Sequence, residues 1–513
     1  MPDIYFGSGK RMGKKANSSK DLGKKSAVPR TKSARKVIES VSEEMMIHKL
    51  PSYANSFFYS LGFLMLVCFV ILVITGMVML FFGQAWWQLA PLGIFTRSIH
   101  LWAAMAFAFF LLLHAFVGFS TSAFKSTRKL LWVLGSILLF IVLVQIEFGY
   151  GLRGDFSSQY RALAGADFWN GAGLGAWFNV LNYGQLLSVH TVIIPIILIA
   201  IIALHYSIVK KLGIAKPYRK DVYYKMVPAD HISMGVRAVA VIAIILFLAR
   251  TVPSPYIPPV TIQQIAASNP QVVATTLMSE LNGTSGTATY MDNIDPYTFN
   301  TAQIYVITPY LEYVNMTMVK NSYALFSSEN ASTQAKNMNK ASAYFAHNGT
   351  LNYTNNTDPV IAMVSAVMLE AKGGVYDYYL EHVSPAVNDE TYELRFLSDT
   401  GYLDEEAAQT GINLTEYGMV KDEEGAGLLP PNSWWMLPYN IIDNTIWANN
   451  PNQDTDGAIL LLLVWLVFVA VPWIPFVNEL PDKLGLYKLF WRERPGHEHY
   501  PKDWGRLFRK KRK

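Results

Sequence analysis

Apolar runs of bilayer-crossing length alternate with short polar connections over the first half of the chain and recur once near its end. Six segments, at 55–82, 98–120, 130–148, 188–209, 233–250 and 458–478, read as transmembrane helices, since about 20 apolar residues span the hydrocarbon. Residues 33–50, with Val37, Ile38, Val41, Met45 and Met46 in register, predict an amphipathic helix on a membrane surface, ended by Pro51. The stretch 149–187, rich in glycine and in aromatics such as Phe168, Trp169, Trp177 and Phe178, reads as a loop at a membrane interface. Between 252 and 456 the pattern is polar; Thr301–Val319 and Val360–Leu369 look ordered, but no fold follows. The chain thus divides into a tail at 1–50, a transmembrane core at 51–251, an insert at 252–456, a sixth transmembrane helix at 457–480 and a tail at 481–513. This is an all-α polytopic membrane protein with a large inserted domain.

Lysine and arginine set the expected orientation. They crowd both tails, the loop after the second span (Lys125, Arg128, Lys129) and the loop after the fourth (Lys210, Lys211, Lys216, Arg219, Lys220, Lys225). Six spans put all four clusters on one side, which the positive-inside rule makes cytoplasmic. Both termini are then expected inside a plasma membrane, with 252–456 extracellular. Beside membrane spans, the basic tails suit anionic lipid headgroups rather than nucleic acid. The insert holds 23 acidic residues against 6 basic ones. It also carries seven Asn-x-Ser/Thr sequons, at Asn282, Asn315, Asn330, Asn348, Asn352, Asn355 and Asn413, so an external glycosylated domain is expected. The single cysteine, Cys68, lies in the first span, which leaves the insert without disulfides. No phosphate-binding loop, Cys-x-x-Cys pair or serine-hydrolase elbow occurs.

Four histidines lie where a polar ring is expensive, inside the apolar runs: His100 and His114 on one, His190 and His205 on another. A helix advances about 1.5 Å and 100° per residue, so the step from His100 to His114 covers roughly 21 Å and returns to within about 40° of the same face. The step from His190 to His205 is one residue longer, giving roughly 22 Å and an offset of about 60°. The second and fourth spans both run outside to inside, so His100 and His190 share an outer level and His114 and His205 an inner one. Any one of them alone could be a packed histidine bonded to a neighbouring helix. As matched pairs they predict bis-histidine iron ligation, which leaves no open coordination position and suits electron transfer. Gly62 and Gly76 in the first span, and Gly135 and Gly149 in the third, repeat the 14-residue interval. A flat macrocycle wedged between helices needs such positions without side chains.

In these residues the chain resembles the cytochrome b family of cytochrome bc1 and b6f complexes. The resemblance is carried by Arg97-Ser98-Ile99-His100 with His114, the His190/His205 pair, the four glycines, Gly149-Tyr150-Gly151-Leu152, and Trp434-Trp435-Met436-Leu437-Pro438, over 45–250 and 430–480. The basic termini and the sequon-rich insert suggest an archaeal relative. The resemblance implies a four-helix core with two haems, b-type or modified, the outer held by His100 and His190 and the inner by His114 and His205. Arg97 would pair with a propionate of the outer haem. It implies quinol oxidation near the outer face, one electron passing to a Rieske iron–sulfur protein and the other through both haems to quinone. Terminal oxidase subunits or an external electron carrier are further expected partners. Tyr150, Ser433, Trp434 and Trp435 are the outer quinol candidates. Asp230 and His231 are the inner quinone candidates, although Asp230 suits a helix N-cap equally well.

The chain departs from the family pattern in four places. The family's Pro-Glu-Trp-Tyr is Asn432-Ser433-Trp434-Trp435 here, without the glutamate, and Asp443 is a nearby acid. The Pro-Trp that follows Gly-Tyr-x-Leu is replaced by Arg153-Gly154. One span rather than three follows the Trp-Trp segment, and the insert precedes it. Two other readings remain open from sequence: a diheme membrane anchor for another quinone-linked dehydrogenase or hydrogenase, and a glycosylated adhesion or receptor protein, which would be colourless.

Overall fold

The computed structural model describes residues 49–171, 173–175, 177–215, 222–224, 226–289, 300–314, 321–347, 358–410 and 453–490, with isolated short stretches besides. The surface helix expected at 33–50 lies outside the described residues, apart from Lys49 and Leu50, which are strand. Among the described residues, five helices are long and apolar enough to cross a membrane. They are α1 (Leu61–Phe82), α2 (Pro91–Ser120), α3 (Lys129–Gly151), α5 (Tyr183–Leu212) and α6 (His231–Thr251). Their bounds follow local chemistry. Gly83, at φ +81°, ends α1; Pro91 opens α2; Asp230 caps α6 by accepting from the Ser233 backbone N–H at 2.9 Å.

α1 lies along α2, α3 packs on α5, and α2 also supports α6. Their outward faces stay apolar, with Phe81, Ile232 and Phe247 well exposed, which fits lipid rather than water as the surrounding medium. Cys68 is fully buried and free.

The sixth segment is shorter than the sequence suggests. Helix α13 (Gln453–Ala470) stops at Ala470, because Pro472 and Pro475 cannot continue the helical bonding, and the rest of 458–478 is turn and 3-10 helix. Two indoles fasten it to α3: Trp465 Nε1 donates to the Ser136 carbonyl (3.0 Å) and Trp132 Nε1 to the Phe468 carbonyl (2.7 Å). The expected loop at 149–187 contains helix α4 (Phe156–Gly171). Asp155 and Ser158 start it reciprocally: Asp155 Oδ1 accepts from the Ser158 N–H, and Ser158 Oγ accepts from the Asp155 N–H.

Among the described residues, segments that flank the basic connections bond to one another. Lys49–Pro51 pairs antiparallel with Met226–Pro228, and Val222–Tyr224 with His499–Pro501. Arg128 donates to the Leu212 and Gly213 carbonyls, and Lys125 pairs with Asp482.

The insert is an array of helices. α7 (Ile262–Ser268) starts in a Thr261/Gln264 capping box, and α8 (Pro270–Asn282) ends at Gly283 in the left-handed region. α9 (Ala331–His347), α10 (Pro359–Gly373), α11 (Val375–His382) and α12 (Thr391–Asp399) follow. α10 is buried on nearly every face and forms the middle of this unit. Together α10 and α11 have the length and composition of a span, but they bend by 92° at Gly374 and lie among the insert's own helices. Buried tyrosines are satisfied internally, Tyr376 donating to the Tyr305 carbonyl and Tyr305 to that of Tyr392, each at 2.9 Å. The insert touches the core where Asn179 Nδ2 donates to Thr391 Oγ1 (2.7 Å) and where Asn182 bridges Asp389.

Several carboxyls of the insert are wholly or partly buried. Burial, with Asp399 alongside, pushes Glu280 up to about 9 from its ordinary 4.5. Burial likewise raises Glu390 to about 7 and Asp377 to about 6. A carboxyl raised by folding binds a proton that the unfolded chain has already lost, so its stabilising contribution is complete below the ordinary value and disappears as pH rises through the folded one. The insert's unfolding temperature should therefore fall steadily from about pH 4.5 to pH 9. Thermal unfolding of the purified full chain across that range tests this, and Glu280→Gln should flatten the slope; a stability that rises with pH would contradict it.

Candidate functional site

The four histidines meet in two levels inside the bundle. The His100 and His190 rings face each other across the gap between α2 and α5, with centroids 6.4 Å apart. An imidazole nitrogen binds a transition metal at about 2.0 Å, so two rings on opposite sides of one ion have centroids about 6 Å apart. The spacing suits a single iron between them. His114 and His205 lie within electrostatic reach of each other at the second level. Among the described residues no three His, Cys, Asp or Glu side chains converge, so each level offers two imidazoles and nothing more.

Hydrogen bonds decide which ring nitrogen is free. Thr75 Oγ1 donates to the Ile71 carbonyl at 2.7 Å and stands 2.9 Å from His100 Nδ1. Its proton is committed, so Oγ1 accepts from Nδ1–H and the lone pair of His100 is left on Nε2. His190 Nδ1 meets the Gln145 carbonyl at 3.0 Å, an acceptor only, which again frees Nε2. At the other level His205 Nδ1 is buried without a protein partner.

The one-residue difference between the two histidine intervals has a local solution. Within α5, Val189–Ile193 forms a π-turn, in which the Ile194 N–H donates to the Val189 carbonyl. The His190 carbonyl thereby loses its usual donor, and Pro195, next in line, has no N–H. Gln145 Nε2 supplies the missing bond at 2.6 Å. Gln145 therefore holds His190 twice, once by ring and once by backbone. The π-turn absorbs one residue, so the longer interval rises like the shorter one, about 21 Å rather than 22 Å, on one stripe.

Three of the four glycines abut the rings. A Cβ at Gly149 would lie 3.0 Å from His190 Cε1, at Gly76 3.4 Å from His100 Cε1, and at Gly135 3.8 Å from His205 Cε1. At Gly62 it would meet nothing within 4 Å.

The remaining candidates fall in different places. Arg97 is buried one turn before His100 and donates through Nη2 to the Ser254 carbonyl (2.9 Å). Tyr150 is buried between the guanidiniums of Arg161 (4.4 Å from its ring centre) and Arg153 (5.8 Å), and Arg161 also pairs with Glu147 at 3.6 Å. Ser433 sits in a two-residue strand opposite Val420. Trp434, Trp435 and Asp443 lie outside the described residues. Asp230 acts as the cap of α6, and His231 is exposed beside it. Asn282 and Asn330 are exposed, whereas Asn315, Asn348, Asn352, Asn355 and Asn413 lie outside the described residues.

Sequence reasoning missed Thr75, Gln145, Arg153 and Arg161. Thr75 adjoins Gly76, and Gln145 precedes Gly149 by one turn, so their positions relative to the glycines were a usable signal. The arginines gave none that an interfacial cation would not also give.

Known proteins point the same way. The family described as cytochrome b/b6/petB matches residues 46–163, and cytochrome b(N-terminal)/b6/petB matches 105–259. Cytochrome b6 of Heliobacterium modesticaldum is 28% identical over 202 residues, 35% of this chain and 95% of that protein. Cytochrome b6 of Synechococcus elongatus is 27% identical over 202 residues, covering 94% of its own length. The cytochrome b subunit of the cytochrome bc1 complex of Mycobacterium tuberculosis is 33% identical over 129 residues, 23% of this chain and 24% of that one. A solved chain from a hyperthermophilic respiratory Complex III aligns with 71% of this chain and 98% of its own, at 16% identity and a TM-score of 0.37. The matched segment, 46–259, contains all four histidines, all four glycines and the helices that carry them, and over that segment the chain matches the cytochrome b family.

Proposed function

We propose that this chain is the two-haem subunit of a quinol-oxidising membrane complex of the Rieske–cytochrome b type. The observation that carries the reading is the His100–His190 pair, 6.4 Å apart with both Nε2 atoms left free by their other bonds. His114 and His205 hold the second haem, and Gly76, Gly135 and Gly149 keep side chains away from the macrocycles. When bound, each haem supplies a one-electron iron centre of b-type or modified character. The protein's part is to fix the axial ligands, exclude water and set the two levels about 21 Å apart along α2 and α5.

Quinol binds at the His100/His190 end, where Tyr150 lies between two guanidiniums, and quinone at the other end near Asp230 and His231. Electrons leave the quinol toward a Rieske iron–sulfur partner and through the histidine ladder. Terminal oxidase subunits or an external carrier complete the assembly. The described segments flanking the basic connections, which bond to one another, support a cytoplasmic placement there under the positive-inside rule. The insert is then extracellular on a plasma membrane, and the exposure of Asn282 and Asn330 suits their glycosylation.

The purified chain should give two haems in a pyridine haemochrome assay. His100→Ala and His190→Ala should remove one and the same haem, and His114→Ala and His205→Ala the other. One haem or none in the parent chain overturns the reading. The glycines give a sharper contrast: Gly149→Ala should deplete the His100/His190 haem, whereas Gly62→Ala should leave both in place. Thr75→Val keeps the side chain's size but removes the acceptor for His100 Nδ1, and should weaken haem retention at that level about 10-fold. Haem release to apomyoglobin measures it, and an unchanged release rate would remove Thr75 from the site.

A further inference from the structure

Two guanidinium groups are buried together beside the His100/His190 level. Arg97, 6% exposed, lies one turn before His100 on α2. Arg153, 7% exposed, follows the end of α3 four residues after Gly149, the glycine that abuts His190. Each arginine thus lies about one turn from a residue of that level, and the two are close enough for their charges to act on each other.

Their bonding is incomplete. Arg153 Nη2 donates to Asp155 Oδ2 (2.7 Å) and to the Pro255 carbonyl (2.5 Å), and Arg97 Nη2 donates to the Ser254 carbonyl. The Tyr256 ring lies 5.6 Å from the Arg97 guanidinium. Nε and Nη1 of both arginines are buried with no partner. Two positive charges face one carboxylate, and that of Asp155 also accepts from the Ser158 N–H. A buried guanidinium left in this state is strongly unfavourable unless an anion joins it. One additional carboxylate balances the charge and offers acceptors to the idle N–H groups of both forks.

The position of Arg153 is built. Gly154 adopts φ +64°, and an added Cβ there would collide with the Gln84 side chain. Gln88 Nε2 donates to the carbonyls of both Arg153 (3.0 Å) and Gly154 (2.8 Å). The Arg-Gly pair therefore turns the chain back and directs the guanidinium inward.

We propose that Arg153 and Arg97 jointly bind one haem carboxylate, the propionate nearest them on the haem held by His100 and His190. The inference rests on the two-haem reading and adds to it a second carboxylate-binding arginine, one supplied by this chain's Arg153-Gly154. A guanidinium held there stabilises the added electron, so its loss makes that haem harder to reduce.

Optical redox titration of the purified full chain tests this. Arg153→Gln should keep two haems while lowering the reduction equilibrium of one of them at least tenfold, about 59 mV for a one-electron couple. The affected haem should be the one that His100→Ala removes. Arg153→Lys, which keeps the charge but loses the fork, should shift the same haem less, and it carries the test if Arg153→Gln does not assemble. A parent chain lacking the His100/His190 haem overturns the two-haem reading and this inference with it. A two-haem chain whose Arg153 variants titrate like the parent overturns this inference alone.

Discussion

An imidazole inside an apolar bundle must use both of its ring nitrogens, and most of this core is arranged around that requirement. One nitrogen of each ring at the His100/His190 level is spent on the protein: His100 on the Thr75 hydroxyl, His190 on the Gln145 carbonyl. The other, Nε2, is left free. Thr75 can play this part only because its own proton is committed to Ile71. The adjoining Gly76 lets the ring lie against α1, and Gly149 does the same for His190 on α3. The level of His205 is less completely furnished, since its Nδ1 has no protein partner. The asymmetry places the tighter control of ligand orientation at the His100/His190 end.

The π-turn in α5 belongs to the same requirement. A helix that must carry two histidines at the same heights as its neighbour, with one residue too many between them, has to absorb the excess somewhere. Pro195 makes the site of absorption cheap, because the bond it cannot donate is already lost. Gln145 then closes the account of the exposed His190 carbonyl. This tertiary bond was invisible to a reading based on uniform helical steps, which gave the second pair an offset of about 60°.

What was legible in the sequence was what depends on local pattern. Apolar length identified five spans, and the histidine and glycine intervals identified two levels, because both follow from fixed rise and rotation. The expected sixth span ran too far because an apolar run was counted through Pro472 and Pro475. Helix α4 was passed over as a glycine- and aromatic-rich loop, although Asp155 and Ser158 mark its start. The insert's helices are short and held by contacts between distant segments, such as Tyr376 with Tyr305, which no local periodicity encodes. Arg153 is the clearest case: what sets it apart is that its Nε and Nη1 are buried without a partner, and a missing bond has no signature in a sequence.

The same distinction changes how the acidity of the insert is understood. From composition alone, 23 acidic residues against 6 basic ones suggest a negative surface that steers a cationic carrier. Several of those acids are internal. Glu280 is bonded to Ser285, Asp358 caps α10, Asp389 binds Thr391, and Asp399 accepts from the backbone of Thr287. Such groups build helix ends and turns, and those that burial keeps protonated contribute no outward field. The insert is also tied to the core beside the start of α5, through Asn179 and Asn182, and the segment leading into it supplies the carbonyls that hold Arg97 and Arg153. It is therefore linked to the residues beside the His100/His190 level through the backbone of Ser254 and Pro255 rather than through a diffuse charge.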